Sequence, residues 1–223
     1  MTTLTQITPL LDRLFREAQG LSPFQVPEVA ALSSAERTRL THELMQSKTQ
    51  YRELYGLLKD IPLPVSPETG RLLYLLARST HAKHIVEYGT SFGVSTLHLA
   101  AALRDNGGGR LITTEFEPGK VARARQHLEE AGLADLVEIR EGDALETLQR
   151  DLPAEVDLLL LDGAKALYRE VLELVEPHLR QGALIVADNA DHSPDYLGLI
   201  RAPTGGYVSL PFGSDVELSV RSA

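Results

Sequence analysis

The chain has 223 residues, 43% of them hydrophobic and 24% charged, which suits one well-buried globular domain with some decoration. Its formal charge of −9, from 22 basic against 31 acidic residues, argues against nucleic acid and anionic membrane surfaces, both of which are bound mainly through Lys and Arg. Cysteine is absent, which excludes disulfides, thiolate metal sites and a cysteine nucleophile, and suits a cytoplasmic protein.

The opening stretch MTTLTQITPLLDRLF lacks the basic and long apolar regions of a signal peptide, and no apolar run approaches the roughly 20 residues of a membrane span. Leu4, Ile7, Leu10, Leu11, Leu14 and Phe15 recur at the spacing of one helical face. A loop containing Pro23 and Pro27 follows. Ser33 and Glu36 then make a capping box that opens a long polar helix reaching about Leu58, its charged face solvated or at a subunit contact. Residues 1–60 thus read as a helical extension that meets a second subunit or covers a ligand.

The character changes after IPLPVSPETG, where Ser66, Pro67 and Glu68 give an N-cap hydroxyl, a proline at the first turn and an early acid. Over residues 61–223 strands alternate with helices. HIVEY, RLITT, LVEIRE, VDLLLLD and GALIVAD read as strands; helices are predicted near 93–105, 118–131, 144–151 and 166–179. The continuous apolar run from Val156 to Leu161 implies strands buried on both faces, hence a parallel sheet between helical layers. YVSLPF and DVELSV, joined at Gly213-Ser214, read as an antiparallel hairpin. The fold class expected is α/β, a doubly wound, mostly parallel sheet ending in that hairpin, with helices in front.

Ligands of such sheets bind beyond the carboxyl ends of the strands. Five strands deliver Glu87, Glu115, Asp143, Asp162 and Asp188 to that edge, and grouped carboxylates repel unless cations or donors stabilise them. The first strand runs into EYGTSFGVST, whose glycines Gly89 and Gly93 do not form the dinucleotide fingerprint, and no basic residue is present for a pyrophosphate. Thr90, Ser91 and Ser95 offer hydroxyls, and the following helix N-terminus offers N–H groups to one carboxylate. Glu115 stands where a nucleoside-binding sheet places its ribose acid, and Glu87, expected to be half-buried, suits a cationic amine. Ribose, carboxylate and amine without phosphate describe an amino-acid nucleoside, of which S-adenosylmethionine is the common example.

The motifs VEYGTSFGVST, TTEFEP, EGDALE, LLLLDGAKALY and IVADN, in this order, resemble the metal-dependent O-methyltransferases of the caffeoyl-CoA and catechol group, over roughly residues 60–223. The resemblance implies the Rossmann-like class I methyltransferase sheet of seven strands with its last strand reversed. It further implies that Glu115 holds the ribose of S-adenosylmethionine, Ser95 the methionine carboxylate, and Glu87 the methionine end. Asp143 and Ala144 would lie by the adenine, Gly89, Thr90, Ser91 and Gly93 would form the cofactor turn, and the backbone near Val65 and Ser66 would close over it. Asp162, Asp188 and Asn189 would hold a divalent ion, an all-oxygen set suited to Mg²⁺, and Lys165 would be the general base, pushed towards its neutral form by the dication. A homodimer acting on a small vicinal-dihydroxy aromatic is the assembly and acceptor implied.

The chain departs from that pattern at two places. Ala164 stands where the family often has a second acid, and ADHSPDYLGLIRAPTGGY replaces a Trp-containing substrate loop in a chain without Trp. His192 in this stretch reads as an exposed polar residue, and Tyr196 and Tyr207 as packing residues or aromatic walls. Two other functions share the strand–helix alternation. A nicotinamide-dependent oxidoreductase is disfavoured by the missing third glycine, and a non-catalytic cofactor-binding scaffold by the presence of Asp162, Lys165, Asp188 and Asn189 together.

Overall fold

The structure, a computed structural model, describes residues 1–21 and 25–222. Pro23, in the expected early loop, lies outside the described residues. The helices are α1 (Thr3–Ala18), α2 (Pro27–Ala30), α3 (Ser34–Gln46), α4 (Tyr51–Leu57), α5 (Pro67–Ser79), α6 (Val94–Asp105), α7 (Pro118–Glu130), α8 (Ala144–Thr147), α9 (Tyr168–Val175) and α10 (Pro194–Ile200). The strands are β1 (His84–Tyr88), β2 (Arg110–Glu115), β3 (Val137–Glu141), β4 (Val156–Leu161), β5 (Leu179–Ala187), β6 (Tyr207–Phe212) and β7 (Val216–Arg221).

The seven strands form one sheet in the order β3-β2-β1-β4-β5-β7-β6. β1 to β5 run parallel, and β7 pairs antiparallel with both β5 and β6. Successive side chains point to opposite faces of a strand, and the central strands carry apolar residues on both faces. Ile85, Leu111, Leu158 and Leu160 therefore join one core with α1, α5 and α6, while Val86, Ile112, Leu159 and Leu161 join a second with α9 and α10. α1 lays Ile7, Leu10, Leu11 and Leu14 on the first core, and each such buried side chain contributes about 1.5–3 kcal/mol before entropy is charged against it.

The expected long helix from Ser33 to Leu58 is two helices. The capping box forms as read, with Ser33 N–H and hydroxyl donating to Glu36. The helix then stops because the Ser47 hydroxyl accepts the N–H groups of Thr49 and Gln50, offering the backbone a turn in place of helical bonds. Pro177 similarly breaks the expected helix over 166–179, leaving α9 flanked by short 3₁₀ turns. The stretch that replaces the substrate loop contains α10, which drives Tyr196 and Ile200 into the core. No helix among the described residues is long and apolar enough to cross a membrane.

Candidate active site

The chain proceeds outward from β1 in both directions, through β2 and β3 on one side and β4 and β5 on the other, so the switch point lies between β1 and β4. Tyr88 pairs with Leu161, and Leu161 with Ala187, which brings the ends of three adjacent strands level. Asp162 and Asp188 follow directly and face one cavity of about 340 Å³. Two glycines permit this closeness. A Cβ on Gly89, at φ +101°, would stand 2.5 Å from the Asp162 carbonyl oxygen, and one on Gly163 would stand 2.4 Å from the Tyr88 ring.

At the chemical end, Lys165 Nζ donates to Asp162 Oδ1 at 3.0 Å and to the Tyr168 hydroxyl at 2.7 Å. That hydroxyl donates to the Asp188 carbonyl at 2.7 Å, tying the lysine to the end of β5. Burial works to lower the lysine pKa, but Asp162, Tyr55 and Asp188 together raise it, so Lys165 is held in its charged form. Asp188 is pushed up to about 7, first by burial and then by the neighbouring Asp162 carboxylate. Asn189 adopts φ +49° and gives its amide N–H to Asp215 at 3.4 Å, leaving its amide oxygen as a donor atom beside the two carboxylates. No group of three His, Cys, Asp or Glu suited to a metal occurs among the described residues. Asp162, Asp188 and Asn189 line the cavity with oxygen atoms, the chemistry a hard divalent ion would take.

At the other end of the cavity, Glu115 accepts the Ser91 N–H on Oε2 at 2.9 Å and the Glu117 N–H on Oε1 at 3.0 Å. Burial raises its pKa, against the pull of these donors and of Lys120. Asp143 caps α8 through Leu145 N–H at 2.9 Å and accepts from Tyr51 and Arg52 of α4. Burial would raise the Asp143 pKa, and these donors outweigh it, holding the carboxyl below its ordinary value. Ala144, Gly89 and Ser91 line the same cavity.

Several residues expected at the ligand hydrogen-bond within the fold. Glu87 is fully buried, not half-buried, because it lies within β1 with helix α6 over it. Its two oxygens accept the hydroxyls of Ser95 and Thr96, each at 2.6 Å. Thr90 spends its hydroxyl on Thr113 at 2.6 Å and on the Thr114 carbonyl at 3.0 Å. Ser95 and Thr90 border a smaller adjoining cavity with Ser91 and Asp162. Gly93, at φ +87°, is the N-cap of α6. Val65 packs in the core, while Leu63 and Pro64 form the wall of both cavities. His192 is exposed, Tyr196 stacks edge-on against Tyr168 within the core, and Tyr207 bonds Glu176 away from the cleft.

The sequence reading missed the apolar wall. Val29, Met45, Tyr51, Tyr55 and Leu58 of the N-terminal segment line the same cavity as the acids, with Phe116 next in sequence to Glu115. Tyr51 and Tyr55 stand four apart, a helical-face spacing that was legible; that this face lies on the cleft depends on tertiary packing.

A model of the methyltransferase domain matches residues 86–190. A catechol O-methyltransferase of Niastella koreensis is 40% identical over 57% of this chain and 58% of its own length. One of Mycobacterium tuberculosis is 36% identical over 57% of each chain. The matched stretch thus spans less than two thirds of these relatives. The O-methyltransferase TomG of Streptomyces achromogenes, solved with S-adenosylmethionine, superposes with a TM-score of 0.65 at 28% identity, covering 81% of this chain and 90% of that one. With the reversed seventh strand and the acid-lined switch point, these matches give the chain the class I methyltransferase fold and make it similar to the catechol O-methyltransferases and to TomG.

Proposed function

We propose that the protein transfers a methyl group from S-adenosylmethionine to a hydroxyl of a small, vicinal-dihydroxy aromatic acceptor, with help from a divalent cation. The observation that carries this reading is that Glu115, Asp162, Lys165, Asp188 and Asn189 all border one cavity that is also lined by apolar and aromatic side chains. Glu115 keeps lone pairs for the two ribose hydroxyls after accepting its backbone donors. Asp143, Ala144 and Phe116 surround the adenine.

Asp162, Asp188 and Asn189 would hold Mg²⁺ or another hard divalent ion. Bound there, it would lower the pKa of an acceptor hydroxyl and fix its direction. Balancing the two carboxylates would also remove their support for the Lys165 ammonium. Lys165 could then take the hydroxyl proton, while Tyr168 holds its Nζ in place. Tyr51, Tyr55, Met45 and Leu58 keep water from the reacting face. We further propose a homodimer in a cytoplasmic setting, with residues 1–60 covering the cofactor or contributing to the contact. A monomer by light scattering at micromolar concentration removes the dimer.

Calorimetry with S-adenosylhomocysteine tests the cofactor reading. Glu115→Ala should weaken binding at least about tenfold, since bonds to a charged group contribute roughly 1.5–3 kcal/mol each. Unchanged affinity in that variant overturns the assignment of Glu115.

A further inference from the structure

Lys120, the third residue of α7, is 3% exposed and borders the cavity beside Glu115. Among the described residues no hydrogen bond or ion pair reaches its Nζ; the nearest aromatic contact is the Phe92 ring, with its centroid 5.9 Å away. Glu115, Glu117, Asp162 and Asp60 act on it through space only. Lys165 is buried to a similar depth but has two partners. A buried ammonium without a hydrogen-bond acceptor costs stability, and burial accordingly lowers the Lys120 pKa. The Phe92 ring face supplies no hydrogen-bond acceptor for the ammonium. Its place is at the edge of a ligand cavity.

Resting on the cofactor reading above, we propose that Lys120 is a second binding residue for the cofactor's nucleoside. Its Nζ donates to a ribose hydroxyl oxygen whose own proton is given to Glu115. A hydroxyl is both donor and acceptor, whereas an ionised Glu115 can only accept. Bound to Glu115 alone, the hydroxyl would keep its lone pairs unmet in a buried site, a cost comparable to a lost hydrogen bond. Lys120 is the cation that borders this end of the cavity, and it stands beyond ion-pair distance of Glu115. A hydroxyl between them completes a chain from ammonium to hydroxyl to carboxylate, in which both bonds are charge-assisted.

The test is calorimetry on the wild type and Lys120→Met, with S-adenosylhomocysteine and with 5′-methylthioadenosine, which keeps the ribose but lacks the amino-acid end. The ligand-free melting temperature of both proteins is measured alongside. Lys120→Met should bind both ligands about tenfold or more weakly, about 1.4 kcal/mol, while its ligand-free melting temperature stays level or rises. Unchanged affinity overturns the proposal. So does a loss confined to S-adenosylhomocysteine, which would assign Lys120 to the methionine carboxylate, and so does a loss accompanied by a lower ligand-free melting temperature, the mark of a structural residue. If the wild type binds neither ligand, the cofactor reading itself falls.

Discussion

Lys165 and Tyr168 form one bridge across the site: Nζ donates to the phenol at 2.7 Å, and the phenol donates in turn to the last carbonyl of the β5 edge. The lysine expected to move the acceptor proton is thus tied to the Asp162 carboxylate at 3.0 Å and, through the phenol, to the backbone of Asp188. The pair stand three positions apart, and the 3₁₀ turn over Lys165–Leu167 sets the geometry.

Tyr168→Phe removes that tether without opening a cavity. Stability should fall by about 1–3 kcal/mol, since two buried hydrogen bonds are lost. Methyl transfer should fall about tenfold or more as Lys165 loses its orientation, while affinity for S-adenosylhomocysteine stays unchanged. Urea unfolding, calorimetry and turnover on the one variant separate these effects. Full turnover would show that Lys165 needs no tether.

The raised Asp188 pKa gives a pH dependence with a definite sign. A carboxyl whose folded pKa is raised binds its proton more tightly in the fold, so its contribution to stability is present at low pH. It is lost as pH rises from the ordinary carboxylate range to about 7. A divalent ion needs the ionised form. Stabilisation by Mg²⁺, read as a shift in melting temperature, should therefore grow between about pH 6 and about pH 8. Asp188→Asn should flatten that growth and weaken the shift.

Gly89→Ala tests the close approach of β1 to Asp162. The added carbon would meet the Asp162 carbonyl at 2.5 Å in a backbone of φ +101°. The cost should be about 2 kcal/mol or more from strain and overpacking. Gly213→Ala, at φ +68° with open space around it, should cost only about 1 kcal/mol. Equal melting temperatures for the two variants would deny that the turn is tightly packed.

The strand ends were legible because Asp162 and Asp188 follow unbroken apolar runs and Glu115 and Asp143 close strand-like segments between predicted helices, a pattern that puts all four on one edge. The hairpin was legible from Gly213-Ser214 between two alternating segments. Glu87 was misjudged as half-buried, since sequence position cannot show that Ser95 and Thr96 on α6 would satisfy both of its oxygens. The break at Ser47 rests on one hydroxyl competing with the helix, a local choice that propensity does not fix. Lys120 gave no signal at all: a lysine in the first turn of a polar helix reads as solvated until the packing of Phe92 and Glu115 is known.

Lys165→Ala should leave cofactor affinity within about threefold while turnover falls by something like 10²–10⁴, the usual contribution of a positioned base. Calorimetry paired with a turnover assay measures both. Loss of the cofactor in this variant would move Lys165 from the chemical end to the binding end.

Transfer of a labelled methyl group from S-adenosylmethionine to catechol, followed with Mg²⁺, in excess chelator, and after Mg²⁺ is restored, tests the central claim most directly. The site predicts O-methylated product with the ion, none in chelator, and recovery on restoring it, because Asp162, Asp188 and Asn189 are the groups that would hold a cation against the acceptor. Full transfer in chelator would contradict the metal assignment, and no transfer by a protein that binds S-adenosylmethionine and Mg²⁺ would contradict the acceptor class.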